Sequence, residues 1–236
     1  MTNLMGIVSI ILLSAVLGPI IITEHPWSQN ARDFLLYNGY RDTGASNLVS
    51  AIYLGYRAYD TIGETIVLLA AVTGAVFLIK GSGSPHQDPV PSHKRGGIRT
   101  NIISMTTGKL APVVMLFGWY VMFFGHQSPG GGFQGGVVLA SGMLFIALGR
   151  EHHKRDSQLT KNRLHRIELL SLLLILLLVC IPLTLGAAIL ENPLTKIGDS
   201  IPRVIYIIGF NMAIGLKVGS GLSILGLLMM DMQHDD

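Results

Sequence analysis

Charge is scarce in this chain. Of its 236 residues only 13% are Asp, Glu, Lys or Arg, while 50% are hydrophobic. Soluble domains carry about 25% charged residues. The deficit, together with long apolar runs, excludes an ordinary soluble domain and indicates an integral membrane protein. Cysteine is nearly missing: Cys180 stands alone inside an apolar run. That excludes a disulfide framework and any cysteine-built zinc or iron–sulfur site. His152 and His153 have no further metal ligand near them in the sequence and read as part of a solvated loop. There is no nucleophile–base set, so no catalytic site and no cofactor of the chain's own is expected. The opening 23 residues lack a basic leading segment and a small-residue cleavage site, and read as a retained span rather than a signal peptide.

What the sequence does contain is a series of apolar segments. A helix that crosses the hydrocarbon needs about 20 mostly apolar residues. Six segments meet or approach this: 4–23, 61–79, 108–124, 133–149, 167–190 and 204–230. The expected fold is an all-α integral membrane protein with six transmembrane helices, two plus four. Residues 47–59 form a weaker helical stretch before the second span, lying at the interface or forming a half-helix. Residues 81–97, "GSGSPHQDPVPSHKRGG", mix Gly, Ser, Pro and charge without periodicity and read as a linker. The expected organisation is a two-span module at 1–80, a linker at 81–100 and a four-span module at 101–236.

Lys and Arg set orientation, because cytoplasmic loops carry an excess of them. The net charge is +3, and the bases cluster around the linker (Lys80, Lys94, Arg95, Arg99) and between residues 150 and 166, while 125–132 carries none. That distribution fits topology better than nucleic-acid binding. It places the linker, the 150–166 loop and both termini in the cytoplasm, and the 125–132 loop outside, in a multi-pass protein of the cytoplasmic membrane. Residues 24–60 would then be external, despite Arg32, Arg41 and Arg57.

Four features suit ion chemistry. In "YRAYDTIGETIVLLAA" a helix would set Arg57, Asp60 and Glu64 on one face. Two carboxylates so placed repel, and near a membrane one is driven toward its neutral form, able to take a proton or a cation. The plainer reading is a helix entry, with Asp60 as cap and Glu64 favoured by the helix dipole. Lys217, in "NMAIGLKVGSGL", lies in the middle of the sixth span, about 20 Å from either end at 1.5 Å per residue. Its stem is too short to bring the ammonium to water, so it must face protein or a hydrated cavity, as a structural partner or as part of a proton or ion relay. Lys109 lies nearer a membrane edge, where it can snorkel. His126 suits proton entry or exit, or is a loop histidine without a role.

His126 stands near the start of "GHQSPGGGFQGG", residues 125–136, a run odd beside hydrocarbon. Irregular backbone at membrane depth survives only against protein or a water-filled cavity. Pro129 is expected to stop the third helix, Gly130, Gly131 and Gly132 to make a tight turn, and Gly135 and Gly136 to let another helix pack closely. A phosphate loop is excluded, since its Lys-Ser/Thr and its strand are missing. The expectation is a compact helical hairpin packed in protein.

"GHQSPGGGFQGGVVLASG" resembles the signature of the MnhB/MrpB subunit of Mrp-type cation/proton antiporters, a module that also occurs in related membrane-bound hydrogenases. The likeness extends over residues 101–230, where "IGLKVGSGLSILG" is similar to that module's last span. "NLVSAIYLGYRAYDTIGETIVLLAAV" resembles the module at the C-terminal end of the large antiporter subunit MrpA, which is a separate small subunit, MbhE, in the hydrogenases. The resemblance implies a membrane subunit that works beside complex-I-like antiporter subunits, with Na⁺ and H⁺ as the transported ions. In a hydrogenase-like respiratory complex it would also serve a peripheral arm. It carries ion roles over to Asp60 and Glu64, and signature roles to Pro129 and Phe133. The fusion of the two modules departs from the family pattern, and the resemblance leaves open an antiporter or a redox-driven pump. One alternative is a subunit that only seals and braces the complex. A stand-alone carrier would show an inverted repeat of comparable halves, which two spans plus four do not supply.

Overall fold

A computed structural model describes residues 29–81, 101–149, 154–197 and 201–235. Its elements are α1 (Gln29–Thr43), α2 (Leu48–Ser50), a π-helical turn (Ala51–Tyr56), α3 (Ala58–Gly81), α4 (Asn101–Phe123), α5 (Gly132–Gly149), α6 (Lys154–Thr184), α7 (Leu194–Ile197) and α8 (Val204–Asp235). Among the described residues there is no strand. Four helices are long and apolar enough to cross a membrane: Ala58–Ile79, Gly132–Gly149, Thr160–Thr184 and Val204–Met230. The chain is therefore an all-α, multi-pass membrane protein.

Two of the six expected spans are not among these four. Segment 4–23 lies outside the described residues, as do linker residues 82–100 and His152 and His153. Segment 108–124 falls in α4, which is helical, but whose first half carries Ser104, Thr106, Thr107 and Lys109 and so dilutes its hydropathy. The chain falls into two units, Met1–Leu36 and Tyr37–Asp236.

The second unit is organised around α8, against which α3, α4, α5, α6 and the π-helical turn all pack. In the apolar stretch of α8, 61% of residues are buried, against 11% for α3 and 17% for α6. So α8 is the core, while α3 and α6 keep outward faces. Glycine explains the close approach: helices in lipid associate through packing rather than hydrophobic expulsion, and small residues let backbones meet. A Cβ at Gly136 would come within 2.7 Å of Gly215 O, and one at Gly226 within 2.6 Å of Leu144 Cδ2. Leu54, Ala51 and Ala58, from before and at the start of α3, share one apolar cluster with Tyr206, Ile207, Phe210, Ile214 and Val218 of α8.

Local boundaries differ from the sequence reading in two places. The fifth span is expected to run to residue 190, but α6 ends at Thr184. Gly186 takes φ +67°, Ala187 N–H donates to Pro182 O at 2.9 Å and Gly186 N–H to Leu183 O at 3.2 Å. This is a glycine C-cap that satisfies the last carbonyls and turns the chain. Pro129 does not stop the third helix: α4 ends at Phe123, and the N–H groups of Gln127 and Ser128 both close back onto Phe124 O at 2.9 Å. The weak stretch 47–59 is helical but broken. Asn47 caps α2, accepting from Val49 N–H at 3.1 Å, and the π-helical turn ends in a bend at Arg57.

Candidate functional site

The Gly-rich run is a helix–turn–helix connection whose carbonyls are capped by distant side chains. Asn47 Nδ2 donates to Gly125 O and to Ser128 O, both at 2.9 Å, and Ser50 Oγ donates to Gly125 O at 2.5 Å. Asn47 N–H donates to His126 O at 2.9 Å. Gly125 and His126 are buried, and buried backbone groups are costly to leave without partners, so these bonds are what make the irregular turn tolerable. Beyond it the chain needs backbone that only glycine adopts readily, with φ +149° at Gly130 and +154° at Gly131.

The start of α5 is fixed from α8. Asn211 Oδ1 accepts from Gly132 N–H at 2.9 Å and from Tyr53 O–H at 3.0 Å. Gly132 N–H can only donate, which settles the orientation of the Asn211 amide. One of the unpaired N–H groups at a helix start is thereby satisfied. Burial pushes the Tyr53 phenol above its ordinary pKa, against the pull of its hydrogen bonds to Ser50 and Asn211, so it stays a donor.

A cavity of about 360 Å³ opens at this junction, lined among others by Asn47, Tyr53, Thr61, Glu64, Gly130 and Gln134. Glu64 of α3 and the Gly-rich run therefore face one space, with Pro129, Gly132 and Phe133 also in its wall. Side-chain and backbone oxygens beside a carboxylate suit a hard cation. Asp60 behaves differently: it pairs with Arg57 in the first turn of α3, and both are more than half exposed, at 54% and 70%. Asp60 and Glu64 lie one turn apart on the same continuous helix and both are exposed, with Asp60 paired to Arg57 and Glu64 in the cavity wall.

Lys217 is fully buried. Its Nζ lies 3.9 Å from Glu168 Oε1 of α6, and neither atom has a hydrogen-bond partner among the described residues. Glu168 Oε2 lies 3.6 Å from His165 Nδ1, one turn earlier on α6, whose side chain is half exposed. Gly221, one turn beyond Lys217, leaves room for the carboxylate: a Cβ there would stand 3.1 Å from Glu168 Oε1. Sequence reasoning misses Glu168 and His165 because "HRIELL" reads as the charged mouth of a span expected to begin at residue 167. The available signal is an acid inside an apolar run and a buried lysine that needs a counter-charge.

Two other candidates stand apart. Lys109 is exposed on α4. His126 is buried, with Nδ1 at 2.9 Å from Phe123 O and Nε2 at 3.0 Å from the Gln127 amide nitrogen. These two contacts tie its ring into the turn. Among the described residues no three or more His, Cys, Asp and Glu side chains cluster as a metal site would.

Comparison with known proteins agrees with this architecture. Residues 102–224 match the family model described as a domain related to the MnhB subunit of Na⁺/H⁺ antiporters. Residues 4–95 match a second family model, MbhE. The uncharacterised protein MJ1307 of Methanocaldococcus jannaschii is 31% identical over 205 residues, covering 78% of this chain and 76% of that one. A chain in the structure of the archaeal membrane-bound sulfane sulfur reductase, a respiratory membrane complex, superposes with a TM-score of 0.63 at 25% identity over 97% of both chains. A chain of the Mrp complex from Dietzia sp. DQ12-45-1b shares the fold, with a TM-score of 0.65 at 19% identity over 95% of this chain and 26% of that one. The first family match spans more than half of the sequence, including the Gly-rich turn, the Asn211 that fixes the start of α5 and the buried Lys217, and so the chain belongs to the family of membrane proteins related to the MnhB subunit of Na⁺/H⁺ antiporters.

Proposed function

We propose that this chain is a membrane subunit of a multisubunit Mrp-type Na⁺/H⁺ antiporter module, freestanding or inside a membrane-bound, hydrogenase-like respiratory complex, and that it contributes to cation and proton translocation there. Its partners are the other Mrp- and Mbh-type membrane subunits, including complex-I-like antiporter subunits. The family match and the likeness to chains of two multisubunit membrane complexes support this reading. One observation carries the ion role: Glu64, from the segment that resembles MbhE, and the Gly-rich run, from the MnhB-like segment, wall the same cavity. A brace needs no carboxylate facing a cavity between its two modules.

Glu64→Gln keeps the shape of that wall and removes its charge. The complete complex carrying it is expected to assemble and to lose most Na⁺-dependent proton movement in membrane vesicles. Asp60→Asn, which breaks only an exposed pair of small energetic weight, is expected to lose less. Normal transport by the Glu64 variant across several pH values would instead favour the bracing subunit.

The division into modules at 1–80 and 101–236, the six spans and the orientation belong to the same proposal. Both termini and the linker are taken as cytoplasmic and the 125–132 turn as external, on the distribution of Lys and Arg. With Cys180 first replaced by serine, a cysteine at position 94 should react with an impermeant thiol reagent only from the cytoplasmic side. Labelling from the outside would reverse the topology.

A further inference from the structure

Glu168 uses its two carboxylate oxygens on two different partners. Oε1 faces Lys217 Nζ at 3.9 Å inside the bundle, and Oε2 faces His165 Nδ1 at 3.6 Å toward the polar start of α6. The three groups grade from fully buried, through 11% side-chain exposure at Glu168, to 51% at His165. A purely structural pair would gain by closing to hydrogen-bond length. These gaps exceed the long end of that range by about 0.4 and 0.7 Å, so either contact closes with a small side-chain movement. Among the described residues, α3 presents only apolar groups here: Val72 lies 3.9 Å from where a Gly221 Cβ would stand, and Val76 packs with Leu164 and Ile224. The charged groups facing Glu168 are thus Lys217 from α8 and His165 from its own helix.

We propose that His165, Glu168 and Lys217 form a proton relay into the middle of the membrane, with His165 as the entry group and Glu168 as the exchanging carboxylate. This rests on the ion-translocating reading above and assigns it residues in a second place. A protonated His165 gives its Nδ1 proton to Glu168 Oε2, leaving a neutral imidazole and a neutral carboxylic acid. With its counter-charge gone, the Lys217 ammonium gives a proton to a water molecule reaching it from the inner side of the bundle, which carries it away as hydronium, and becomes a neutral amine. The amine takes the proton held by Glu168, which restores the ion pair. One proton has moved from the α6 end to the core of α8, and nothing is oxidised or reduced. On the proposed topology the entry is cytoplasmic.

The test uses the complete complex in inverted membrane vesicles, reading Na⁺-driven proton movement with a pH-sensitive dye. Glu168→Gln is expected to slow it by at least about 100-fold, the low end of what a positioned acid–base group contributes, and Glu168→Asp to recover part of it. His165→Ala is expected to assemble, because the side chain is half exposed, and to transport slowly. Added imidazole should restore its rate while leaving the wild type unchanged. A bracing histidine would show no such rescue. If Glu168→Gln fails to assemble, the His165→Ala rescue decides alone. Unchanged transport by His165→Ala, or a loss that imidazole does not repair, overturns the relay. If Glu64→Gln still stops transport in that case, the ion-translocating reading survives; if Glu64→Gln also transports normally, that reading falls with it.

Discussion

Lys217→Met is expected to stop proton-coupled transport in a complex that still assembles but unfolds at a lower temperature. The variant keeps stem length and apolar bulk and removes the charge that faces Glu168 from α8. Inserting a lysine at mid-membrane costs roughly 2.5–3.5 kcal/mol, so its loss removes a penalty. It also leaves Glu168 Oε1, among the described residues, with neither counter-charge nor hydrogen bond. Breaking a buried ion pair on one side costs about 3–5 kcal/mol when the survivor stays charged. A carboxyl that takes up a proton avoids much of this, which is why assembly should survive.

The companion variants separate energetics from mechanism. Lys217→Met combined with Glu168→Met should regain the wild-type unfolding temperature, because well-packed apolar residues replace a buried pair at little or no cost. It should still not transport. Lys217→Arg keeps a permanent charge that does not deprotonate, so a relay fails and a structural counter-ion does not. Full transport by the Met variant or by the double variant would remove Lys217 from the mechanism.

Gly135→Leu is expected to prevent recovery of an intact complex. A Cβ there runs into Met122 Cγ and comes within 2.9 Å of Gly118 O, so α4 and α5 cannot keep their contact. Overpacking a close contact costs about 1–3 kcal/mol when side chains alone can yield, and backbone yields less readily. Gly131→Val meets both obstacles at once: φ +154° disfavours a β-branched residue, and its Cβ would overlap the Tyr53 hydroxyl. Native gel analysis of the solubilised membranes reads the result. A complex of normal size and activity with either substitution would mean that close packing is not what this run is for.

Composition and local pattern are enough for the outer description. Scarce charge and apolar runs indicate an all-helical membrane chain, and α3, α5, α6 and α8 appear where 61–79, 133–149, 167–190 and 204–230 are read. Each is a local matter, since a segment of that length and hydropathy has to satisfy its own backbone. Helix ends are less readable. The cap at Gly186 looks like ordinary loop sequence, and the turn after Phe123 closes through backbone bonds with no residue signature stronger than the Pro129 that follows it.

Lys217 can be singled out from sequence because its depth alone makes it costly, whatever surrounds it. Its partner cannot. Glu168 lies on a different helix, and only the packing of α6 on α8, with Gly221 leaving the space, sets the carboxylate opposite the ammonium. The Gly-rich run likewise announces that backbone has to be satisfied, but not by what. Asn47 and Ser50 precede Gly125 by 78 and 75 residues, across the linker. Periodicity, caps and turn chemistry act over a few residues, so the sequence by itself determined that the chain is built of apolar helices and which residues are too expensive to be idle. Which of those residues meet was decided by the tertiary structure, because pairing across helices depends on face, depth and close backbone approach together.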